Sequence, residues 1–110
     1  MPTISTPTCF YADEVPTSAT SIYSFITDAA LSSISLHNSS GAQRTVDLWI
    51  VPTSGSNDSS NKFVSVVLED GDSYRESGLA QIISAGESLY ALASGTGVAV
   101  RISGASLATV

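Results

Sequence analysis

Apolar and polar residues alternate along most of this chain, and the alternation has the two-residue period of a β-strand. In Ser33-Ile34-Ser35-Leu36 the apolar residues point one way and the serines the other. Residues 45–51 continue the pattern, with Val46, Leu48 and Ile50 on one face and Thr45, Asp47 and Trp49 on the opposite one. Val64, Val66 and Leu68 share a face against Phe63, Ser65 and Val67. Val98, Val100 and Ile102 share another against Ala99, Arg101 and Ser103. Each run has strand length and is rich in β-branched or aromatic residues, which suit a pleated, half-buried surface. Residues 18–30 admit two readings. Ile22, Ser24 and Ile26 alternate with Tyr23 and Phe25 as in a strand, the favoured reading, while a cap at Ser18 or Thr20 would open a short helix. Residues 79–83 are too short to assign, a helical turn being one option.

Turn chemistry separates the runs. Asn38-Ser39-Ser40-Gly41 reads as a hairpin loop, residues 52–61 as the longest polar loop, and Asp70-Gly71, Ala85-Gly86 and Gly95-Thr96-Gly97 as tight turns. Gly71-Asp72-Ser73-Tyr74 is echoed in Gly86-Glu87-Ser88-Leu89-Tyr90, which reads as two similar hairpin entries in one sandwich. Short strands punctuated at this spacing predict an all-β fold, a single antiparallel β-sandwich of about seven or eight strands, jelly-roll-like. Residues 1–19 differ. Pro2, Pro7 and Pro16 stand in a Thr/Ser-rich stretch, which predicts an extended N-terminal arm with at most a short strand over residues 8–12. The sandwich domain is then expected over residues 20–110.

The length of 110 residues is enough for one domain with its own core. Charged residues make up 13% of the chain, about half the usual share, and serine and threonine supply the missing polarity. The net charge is -6 and the four basic residues are scattered, so no basic patch exists to bind nucleic acid or an anionic membrane. No apolar run approaches the roughly 20 residues of a membrane-spanning helix, and the N-terminus does not read as a secretory signal.

Candidate chemistry is sparse, and no catalytic, cofactor-binding or metal-binding residue is assigned. His37 is the only histidine and Cys9 the only cysteine, so a disulfide or a Cys-rich zinc site cannot form within the chain. A serine-nucleophile triad would have to use His37, with no nucleophile-elbow motif to present the serine. Cys9 precedes Phe10 and Tyr11 in a strand-like run and reads as a small, half-buried residue. Glu69, Asp70 and Asp72 flank Gly71 and read as a solvated turn, with a divalent cation as the alternative. Tyr23, Trp49, Tyr74 and Tyr90 are packing residues on this reading, or a stacking platform for a sugar. By alternation Trp49 points away from Val46, Leu48 and Ile50, so a second sheet, another subunit or solvent must meet it.

From Tyr23 onward the cadence resembles small β-sandwich virion proteins of tailed bacteriophages. The resemblance is carried by residues 34–41, ending in Asn38-Ser39-Ser40-Gly41, and by Val46-Asp47-Leu48-Trp49-Ile50-Val51-Pro52. It continues in Ala85-Gly86-Glu87-Ser88-Leu89 and in Val100-Arg101-Ile102-Ser103-Gly104. It implies a non-enzymatic structural protein of the virion, assembled in the host cytoplasm. A capsid decoration (cement) protein that binds the major capsid protein is the leading form. The alternatives are a neck, tail or fibre accessory bound to other virion proteins and, from the aromatic residues, a carbohydrate-binding β-sandwich. Analogy favours a homo-oligomer, specifically a trimer, and the resemblance brings no active-site residues with it.

Overall fold

The computed structural model describes residues 3–56 and 58–109, and these are all strand, turn and loop. Eight strands follow one another: β1 (Thr3–Glu14), β2 (Thr20–Ser24), β3 (Ala29–Asn38), β4 (Arg44–Val51), β5 (Lys62–Leu68), β6 (Ser73–Ile83), β7 (Ser88–Ala93) and β8 (Val98–Thr109). They form two four-stranded antiparallel sheets, ordered β1-β8-β3-β6 and β2-β7-β4-β5. Every connection except β4–β5 therefore crosses from one sheet to the other, which is the winding of a jelly roll. Asn38-Ser39-Ser40-Gly41 is one of these crossings and not a hairpin loop. The two Gly-acid-Ser echoes also lead across, into β6 and β7, and so are not hairpin entries. Residues 79–83 belong to β6, so no helical turn forms there, and residues 20–24 take the strand reading.

Alternation decides which residues meet between the sheets. Leu31, Ile34 and Leu36 of β3 face Val46 and Leu48 of β4, with Leu89, Ala91, Val98, Val100 and Ile102 completing a buried cluster. Each large aliphatic side chain fully buried in this way contributes about 1.5–3 kcal/mol. Phe10, Tyr23 and Phe25 close one flank edge to face, with centroids 4.7–5.3 Å apart.

The leader is extended, as its prolines require, but it is a full strand and not a free arm. β1 pairs with β8 from Thr3↔Thr109 to Glu14↔Ala99, and Phe10 and Val15 lie in the core. Pro7 is tolerated because β1 is an edge strand that must donate hydrogen bonds on one side only. Residues 3–14 thus belong to the sandwich.

Two features shape the first sheet. An irregularity runs across it at one level, with extra residues at Phe10 in β1, Ser32 in β3 and Gly78 to Ala80 in β6. At that level β8 carries Gly104. A Cβ there would collide with the Ala30 carbonyl oxygen and lie 2.9 Å from Leu31 Cα, so glycine lets the two backbones approach. At the opposite end, buried Asn38 ties the crossings together. Its Nδ2 donates to the carbonyls of Ala42 (2.7 Å) and Leu68 (2.9 Å), and its Oδ1 accepts from the Ser40 amide (3.0 Å). All of its polar atoms are satisfied, which is the condition for burying an amide.

Candidate functional site

The residues singled out in the sequence do not converge. His37 is exposed, and its Nδ1 lies 2.7 Å from the Ser73 hydroxyl, its cross-strand neighbour on β6. Among the described residues no carboxylate is hydrogen-bonded to this histidine, so the pair has no third group to orient the ring as a base. Cys9 is exposed and not half-buried, because it faces outward on the edge strand opposite Ser103, and its thiol points to the Tyr11 carbonyl at 3.7 Å.

The acidic turn spends its carboxylates on hydrogen bonds within itself and to the β3–β4 crossing. Asp70 Oδ1 accepts from the Gly41 amide (2.9 Å), Asp72 Oδ2 from the Glu69 amide (3.0 Å) and Glu69 Oε1 from Gln43 Nε2 (2.6 Å). Among the described residues no group of three potential metal ligands gathers anywhere. Tyr74 donates to Glu76 (3.1 Å), and burial together with that carboxylate pushes its phenol above the ordinary value.

Trp49 answers the question its alternation raised. It points out of the β2-β7-β4-β5 sheet, yet it is only 5% exposed and is no part of the cluster between the sheets. Among the described residues it is not met by the second sheet, and it is nearly closed to solvent. The Lys62 ammonium sits 5.3 Å from its ring centroid and 3.6 Å from the Asp47 carboxylate, so the chain's own lysine lies over the indole. Among the described residues the buried indole Nε1 has no hydrogen-bond partner. Tyr90, opposite Trp49 in the β4–β7 register, keeps partial exposure. A sugar approaching this face would therefore meet Tyr90 before Trp49.

The other outward face is built differently. Register sets its side chains out in rows that cross the β1-β8-β3-β6 sheet. Glu14, Ala99, His37 and Ser73 form the first row; Ala12, Arg101, Ser35 and Arg75 the second. Cys9, Ser103, Ser33 and Ser77 form the third; Pro7, Ala105, Ala30 and Ile82 the fourth. Small side chains dominate, so the face is flat. At the level of the irregularity it dips into a shallow groove of about 400 Å³ between Pro7, Cys9, Ser32, Arg101, Ser103 and Gly104.

Alternation in the sequence places Arg101 and Ser103 opposite the core. It does not bring Arg75 beside them, because that needs the β3–β6 register, which alternation alone does not supply. No family model matches the chain, and no curated protein or solved structure is significantly similar to it.

Proposed function

We propose that this chain is a non-enzymatic structural protein of a tailed-bacteriophage particle, a decoration protein that docks on the head and stabilises it. The observation that carries the reading is the flat, small-residue outward face of the β1-β8-β3-β6 sheet. A surface of serine, alanine and proline with few long side chains loses little rotamer entropy when another protein covers it. The jelly-roll winding supports the reading as an analogy, since that architecture recurs in viral capsid domains. The phage-like cadence in the sequence points the same way. The partner on this reading is the major capsid protein, and a closed trimer is the oligomer that suits a shell.

The test is direct. Purified protein mixed with expanded capsids that lack it is expected to co-sediment with them in shell-wide copy number and to raise their thermal stability. No binding and no gain in stability would overturn the proposal. Binding restricted to a few copies on the particle axis would assign the chain to the neck or tail instead.

A further inference from the structure

Arg75 and Arg101 are two of the four basic residues in a chain of net charge -6. They stand in one row of the flat face with Ser35 between them. Both are exposed, and among the described residues neither makes an ion pair or a side-chain hydrogen bond. Lys62 is tied to Asp47 and Trp49, while Arg44 Nε donates to the Thr96 carbonyl at 3.0 Å. The four rows contain one carboxylate, Glu14, at their far corner. Asp13 and Glu76 pair with Val100 and Ile34 and so lie on the opposite side of the sheet. The face is therefore the electropositive side of an acidic molecule, with hydroxyls around the guanidiniums and a groove beside Arg101.

We propose that this row is a recognition site for a carboxylate-bearing extended segment of a partner protein, a refinement that rests on the docking reading above. Arg75 and Arg101 sit two strands apart, roughly 10 Å between backbones. Alternate residues of an extended segment are about 7 Å apart on one face, so two acidic side chains lie within reach of both flexible guanidiniums. Guanidinium binds carboxylate through parallel hydrogen bonds, which favours acids over neutral polar side chains. The serines and alanines between the arginines let the partner backbone lie close to the sheet, and the groove beside Arg101 receives one of its side chains.

The probe is a fluorescein-labelled peptide with aspartate at alternate positions and serine between them, and the control replaces aspartate by asparagine. Anisotropy is expected to show binding of the aspartate peptide alone, weakening as salt rises. The variant R75E/R101E should weaken it by about tenfold or more, equivalent to about 1.4 kcal/mol, whereas V67E on the other sheet should leave it within about twofold. R75Q/R101Q, with circular dichroism to confirm the β-fold, serves if the charge reversal does not fold. Absence of binding at low salt, equal binding of both peptides, equal loss in V67E, or a tenfold preference for heparin over the peptide would each overturn the proposal. The capsid assay separates the two readings. Peptide binding without capsid binding overturns the virion reading and supports this face. Capsid binding unchanged in R75E/R101E overturns this face and leaves the virion reading standing.

Discussion

On the outward side of β4, Trp49 is 5% exposed and Lys62 bridges from it to Asp47; on the outward side of β8, Ser103 and Ala105 lie in a plain of small residues with no such cover. Both faces alternate against the same core, and both belong to four-stranded antiparallel sheets. They differ in what the outward positions carry. A large indole must find cover, and Lys62 contributes to it by placing its ammonium over the ring. A row of serines and alanines has little to hide and remains open to a partner. The lesson is that burial on a sandwich is not confined to the space between its sheets. A side chain outside the core can be as buried as one within it.

The strongest way to break this comparison is to remove the indole. Trp49→Ala should cost about 3 kcal/mol of unfolding free energy, the range of a buried aromatic truncation, although Trp49 lies outside the core. Ser103→Ala on the other face should stay within about 0.5 kcal/mol. Urea titrations of both variants measure the difference, and equal small effects would show that Trp49 is merely shaded.

Gly104→Ala tests the close approach that shapes the flat face. Its new methyl group meets the Ala30 carbonyl, so β3 and β8 must separate, at an expected cost of about 2 kcal/mol. Amide exchange at residues 30–34 and 102–106 should quicken locally.

Lys62→Met keeps an apolar stem over the indole and removes the charge. The half-exposed ion pair and the cation–π contact together should be worth no more than about 1 kcal/mol. Fluorescence of the only tryptophan reports whether the cover persists.

The smallest effect concerns the long β4–β5 loop. The Asp58 carboxylate accepts the Ser60 hydroxyl at 2.6 Å and the Ser56 hydroxyl at 3.2 Å, and these bonds hold it below the ordinary aspartate value. A depressed carboxylate favours the folded loop above the ordinary value, and that contribution is lost as pH falls through the depressed one. An NMR titration should place Asp58 below a peptide aspartate and Ser60→Ala should raise it, with the flat face unaffected.

Much of this architecture was legible without coordinates, because a two-residue period in side-chain polarity is enough to say that a strand exists and which side is wet. Val46 and Leu48, Val64 and Leu68, and Val98, Val100 and Ile102 all bury the side that alternation assigned to them. The fate of the leader was not legible. Prolines predict extension but carry no information about a partner strand, and β1 acquires its identity from the twelve-residue length of β8. The candidate site was legible in part. Arg101 and Ser103 could be placed on an outward face, whereas Arg75 joined them only through a register that skips over Gly78 to Ala80.

Local pattern determined most of the strands, their wet and dry sides and where the chain turns, since these depend on interactions between near neighbours in the chain. Tertiary structure alone decided which strands lie side by side, how Trp49 is covered and which two arginines share a row. Those outcomes depend on contacts between residues distant in sequence, and alternation repeats identically in every strand, so it cannot say which strand is whose neighbour.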